Sequence, residues 1–145
     1  MNPEPSSGMA GPPFRTAADE AAAQAFFKGR PAARKTFDGV RAFMATCGPM
    51  DMVSTKSRVA FVAATRFLWV HTANLDGSIT MGFLLPRHVE SPRLRSGPVG
   101  SRWSHHVKLE ELDTELKAWF RGAYEWDRDS VQGAKATTPK PGPGA

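Results

Sequence analysis

Four arginines, Arg87, Arg93, Arg95 and Arg102, lie in or beside one stretch, PRHVESPRLRSGPVGSR at 86–102, whose single acid is Glu90. A guanidinium is a planar fork of donors that matches phosphate or carboxylate oxygens, and it stays charged at physiological pH. Lys56, Arg58 and Arg66 extend this basic set at the ends of neighbouring strand patterns, and Trp69 or Trp103 would supply a stacking surface if exposed. The chemistry suggested is the holding of an anion. The competing reading makes these residues solvated loop and edge charges, with Trp69 and Trp119 in the core.

Other chemistries find less support. Cys47 falls near the carboxyl end of a helical pattern, where the helix dipole disfavours a thiolate, so it reads as a small packing residue and not a nucleophile. His105 and His106 are adjacent on a strand pattern and therefore point to opposite faces, so they cannot chelate one ion together. One of them would have to meet His71 or His88, and no metal is expected. No carboxylate pair or Ser, His and acid arrangement is visible, and GPVG lacks the lysine and the strand-to-helix context of a phosphate loop. The reading leans away from an enzyme and expects no cofactor.

The elements that must position these residues are set by length and pattern. At 145 residues the chain allows one domain with a core of useful size, and one cysteine excludes an intramolecular disulfide. A cytoplasmic protein is the expectation, since the first residues lack an export pattern and no run approaches the ~20 apolar residues of a membrane span. The formal charge of +5 divides as −2 over 1–23, +5 over 24–127 and +2 beyond, so the surplus belongs to the folded part and favours anionic partners.

Three strand patterns, KSRVAFVAA, RFLWVHTA and GSITMGFLL, form the centre, separated by a short turn and by Asn74-Leu75-Asp76-Gly77. In the second, Phe67, Trp69 and His71 are expected on one face and Leu68, Val70 and Thr72 on the other. Residues 50–54 read as a short edge strand or a connector, and 103–109 as a further strand. A helix at 36–47, capped by Thr36 and striped by Phe37, Val40 and Met44, should cover the sheet. A closing helix from Glu111 to about Glu125 carries Leu112, Leu116, Trp119, Phe120 and Ala123 on one stripe. The expected fold is α+β: a single domain at 31–127, with a mainly antiparallel sheet of about four to five strands packed by an N-terminal and a C-terminal helix. A peripheral helix occupies 17–30, and disordered tails occupy 1–16 and 128–145.

The order of local patterns also resembles one family. FxGRPxxxxxFDxVR at 27–41, CGPM, KSRVAF, TRFLWV, SPRL and ELDTELKAWFRGAYE are similar to the uncharacterised family named domain of unknown function 5655, over 27–125. The resemblance implies a compact bacterial-type α+β domain, found alone or joined to other modules, and supplies no catalytic residue or cofactor. The function expected is a binding module for an anionic ligand. A protein interaction accessory is the alternative, and a nucleic-acid-associated protein or an unfamiliar enzyme ranks below both. No membrane partner is expected.

Overall fold

The alternating runs around Val59, Trp69 and Met81 pair as antiparallel neighbours, and their register brings Val59 and Phe61, Leu68 and Val70, and Met81 and Phe83 together on one side. The computed structural model describes residues 11–137, with side chains described as far as Asp129. Its elements are α1 (Ala17–Phe26), α2 (Pro31–Ala45), β1 (Asp51–Thr55), β2 (Arg58–Val62), β3 (Arg66–Ala73), β4 (Ile79–Leu85), β5 (Arg95–Val99), β6 (Arg102–Leu109) and α3 (Thr114–Thr137). The strands form one antiparallel sheet in the order β1-β2-β3-β4-β6-β5. The fold is α+β as expected, with six strands rather than four or five. The unexpected strand is β5, which lies inside the stretch read as a long loop.

One face of the sheet makes the core. Met52, Val59, Phe61, Leu68, Val70, Met81, Phe83 and Val107 are buried there against Phe37, Val40 and Met44 of α2 and Leu116, Phe120, Ala123 and Tyr124 of α3. Each such side chain contributes about 1.5 to 3 kcal/mol on burial. The α1 helix joins the same core through Ala23 and through Phe27 just beyond its end, whose ring lies 4.9 Å from that of Phe37. Among the described residues no helix covers the opposite face.

The helices begin and end where local chemistry places them, and this corrects several boundaries. Pro31 opens α2 at a position where its missing N–H costs nothing, five residues before the expected cap. Thr36 is therefore inside the helix, and its hydroxyl donates to the Gly77 carbonyl at 2.7 Å, tying α2 to the β3–β4 turn. Asp113, not Glu111, starts α3 by accepting the Leu116 amide at 2.9 Å, and the helix runs on past Glu125 to Thr137. Thr16 and Asp19 form a capping box at α1.

Residues 11–16 do not hang free of the fold as the expected tail does. Phe14 bridges Met52 in parallel, the Arg15 amide donates to the Met52 carbonyl at 2.7 Å, and the Met52 amide donates to the Pro13 carbonyl at 2.8 Å. Asp19 then accepts the Ser54 amide at 3.0 Å, so the outer edge of β1 is covered. The remainder of the expected tails, 1–10 and 138–145, lies outside the described residues.

At the β2–β3 turn, the buried carboxylate of Asp127 on α3 accepts the amides of Ala64 and Thr65, each at 2.8 Å, and the Thr65 hydroxyl at 2.6 Å. The register shifts beside this turn, so Phe61 pairs with Leu68 while Val62 pairs with Arg66. Phe67 is the extra residue of this bulge. Phe67 and Leu68 both enter the core, with the Phe67 ring 5.7 Å from that of Tyr124, which corrects the expectation that Phe67 shares a face with Trp69. Tyr124 in turn donates to the Pro49 carbonyl at 3.0 Å beside Gly48, where φ is 150° and a Cβ would collide with the phenol oxygen.

Replacing Asp127 by Ala strands two amides and a hydroxyl at a buried site, and is expected to lower stability by about 2 to 4 kcal/mol. Asp127→Asn keeps one acceptor oxygen and should lose less. Urea unfolding of both variants checks this, because equal midpoints for Asp127→Ala and the parent chain would contradict the role given to the carboxylate.

Candidate functional site

Alternation along the strands turns one residue of each toward the uncovered face, and the register aligns them in a row: Val53, Ala60, Trp69, Gly82, His106 and Arg95. The centre of this row is built around a missing side chain. A Cβ on Gly82 would run into the indole of Trp69, so the glycine is what lets that ring lie down on β4. The Arg58 guanidinium carbon stands 5.5 Å from the centre of the Trp69 ring, a cation–π contact worth about 0.5 to 1 kcal/mol at an exposed site. The His106 ring approaches Trp69 edge-on at 5.9 Å, and His71, the extra residue of a second bulge, lies 5.4 Å from His106.

Beside this stack, over Val53 and Ala60, the face dips into a hollow of about 520 Å³. Arg58 and Arg66 line it together with Ser54, Thr55, Ser57 and Asp19. The Asp19 carboxylate is already engaged by the Ser54 amide and by Thr16, which hold it well below the usual carboxylate range. A second groove of similar size, about 570 Å³, lies between α2 and the start of α3. Its charged lining, Lys35 and Lys117 against Glu110 and Glu111, is balanced and favours neither sign.

Charge is divided between the two sides of the sheet. Alternation directs Arg58, Arg66, Arg95, Arg102 and Lys108 to the uncovered face, where the one strand carboxylate is Asp51. Arg15 already holds Asp51 through two contacts of 3.0 Å. Lys108 pairs with Asp76 at 3.6 Å. Among the described residues no ion pair engages Arg58, Arg66, Arg95 or Arg102.

Four of the seven basic residues singled out from sequence thus share this face, and three do not. Arg93 faces the helices, bonded to Asp113 at 2.9 Å and Glu115 at 2.8 Å, with its guanidinium carbon 5.9 Å from the Trp119 ring centre. It fastens the β4–β5 connection to the start of α3. Arg87 is exposed within that connection, and Lys56 is exposed in the β1–β2 turn. His71, His106, Ala60 and Gly82 were not singled out as site residues from sequence. The isolated glycine inside TMGFLL was the available signal of a close approach.

His105, unlike its neighbour, points into the core. Its Nε2 accepts the Val89 amide at 3.0 Å, so the ring is neutral with its proton on Nδ1, and Nδ1 has no partner among the described residues. The ring stacks on Phe83 at 5.2 Å, with His88 6.1 Å away. Burial pushes the His105 imidazole below its ordinary value, and the adjacent His88 and His106 add to this. His106 and His71 are lowered too, first by burial, then by His71 acting on His106 and by Arg58 acting on His71.

These shifts fix a pH dependence. With folded values below the unfolded one, the unfolded chain binds more protons as pH falls past ~6.5, so stability should decline from there toward pH 5, before the carboxylates titrate. Urea midpoints between pH 8 and 5 test the sign, and a midpoint that rises on acidification contradicts it.

The family described as Domain of unknown function (DUF5655) matches residues 23–127. No curated protein and no solved structure matches the chain. Among the described residues no helix is long and apolar enough to cross a membrane.

Proposed function

The chain belongs to the DUF5655 family, whose description assigns no activity, and we propose that it is a non-enzymatic binding module that holds an anionic ligand on the uncovered face of its sheet. One observation carries this reading: four arginines without ion-pair partners among the described residues share a face whose only strand carboxylate, again among those residues, is already paired. Unpaired guanidiniums around a dip in a surface raise the local concentration of anions and offer them forked donors. The ligand-binding set is accordingly Arg58, Arg66, Arg95 and Arg102, with Arg58 and Arg66 at the hollow. Arg93 serves the fold. The setting is a reducing cytoplasm, which the single thiol supports.

An accessory role through an apolar patch has less to rest on. Phe27 is buried and Phe26 half-buried against it, while the large apolar residues most exposed among those described, Leu75 and Val99, are single residues at separate places.

Inorganic polyphosphate is the probe. It should raise the thermal midpoint of the parent chain at low salt, with the shift shrinking as salt is added. The shift, read against each variant's own baseline, should vanish in Arg58→Ser/Arg66→Ser and persist in Arg93→Ser, which itself melts earlier for want of its two ion pairs. An undiminished shift in the double variant would remove the anion site from this face.

A further inference from the structure

We infer that the anion held on the uncovered face is the backbone of a single-stranded nucleic acid, laid across the strands with its bases stacked at Trp69 and at His71 and His106. The inference rests on the anion-binding reading above and adds to it the class of ligand. A compact anion would be satisfied by the two arginines at the hollow, whereas this face carries a further guanidinium at the far end of the outward row. Arg58 stands on β2, Arg66 on β3 and Arg95 on β5, so the charges run from the second strand of the sheet to its far margin. At the usual strand spacing Arg58 and Arg95 are about 19 Å apart, which calls for an extended ligand with repeated negative charge.

What lies between these charges is aromatic. The indole rests on Gly82 with the Arg58 guanidinium carbon 5.5 Å from its centre, His71 follows on the same strand, and His106 on β6 meets both rings edge-on. Aromatic rings and guanidinium planes on an open sheet are the surfaces on which unpaired bases stack, whatever their sequence. A duplex keeps its bases stacked on one another and offers none to such a platform. A polyanion without rings would use the arginines and ignore Trp69. The hydroxyls of Thr55 and Ser57 at the hollow suit sugar and phosphate oxygens. DNA and RNA share this chemistry, and the sheet face itself does not distinguish them.

The test is fluorescence anisotropy of the full chain with a labelled single strand of about eight nucleotides, made as DNA and as RNA. An abasic strand with the same number of phosphates, a duplex and inorganic polyphosphate serve as comparisons. The expected result is binding of at least one base-bearing strand, about tenfold or more tighter than the abasic strand and the duplex. Trp69→Ala should bring the base-bearing strand down to the level at which the same variant binds the abasic strand, and Trp69→Phe should recover most of the loss. The variant's unfolding curve confirms that it is folded, since the ring lies on the surface rather than in the core. Equal binding of abasic and base-bearing strands, equally tight binding of the duplex, or indifference to Trp69→Ala overturns the inference while leaving the anion site in place. Failure of every polyanion, polyphosphate included, removes both.

Discussion

The grip of Asp127 on the β2–β3 turn is the interaction on which the arrangement of this protein turns. A carboxylate from the last helix takes two amides and a hydroxyl of a short reversal more than sixty positions earlier in the chain, and the strand leaving that reversal is out of step by one residue. The extra residue goes inward, giving the core Phe67 alongside Leu68. By the same step Arg66 is directed outward in line with Val62, while Trp69 keeps its place beside Ala60. One buried anion therefore sets both the packing of the core and the population of the opposite surface.

The second constraint is electrostatic sorting. The acids at the start of α3 are consumed locally: Asp113 caps the helix and, with Glu115, holds Arg93. Asp51 is held by Arg15, and Asp19 by the cap and by β1. Negative charge near the sheet is thereby either paired or turned away from the uncovered side, while among the described residues Arg58, Arg66, Arg95 and Arg102 make no ion pair. The backbone hydrogen bonds of six strands fix the spacing of those guanidiniums along the face.

Much of the fold was legible because it depends on short-range pattern. The alternation in RVAFV and ITMGFLL predicts which residues face the helices, though Ala60, Val62 and Leu84 on the other side are buried as well, and Asp76-Gly77 marks the reversal between β3 and β4. β5 was not legible, because RSGPV has neither alternation nor β-branched residues ahead of its last position, and an edge strand paired on one side needs little of either. The start of α2 was misplaced because Thr36 offers a good cap by type, while the proline five residues earlier had already begun the helix. For the site, the residue types were readable but their grouping was not. Arg93 and Arg95 are two positions apart in sequence and face opposite sides of the molecule, Arg93 toward α3 and Arg95 level with His106. That separation follows from the way the β4–β5 connection is tied down, and no local spacing encodes it.

The treatment of the two sheet margins has a consequence for how the molecule behaves in a crowded solution. A sheet grows into larger assemblies by adding strands to an unpaired margin. Here residues 13–15 and the Asp19 side chain occupy the donors and acceptors along β1, and the margin at β5 is five residues long and interrupted by Pro98. Lateral accretion of like chains is thus obstructed at both ends, and the broad side of the sheet can stay open to solvent without turning the protein into a nucleus for fibres.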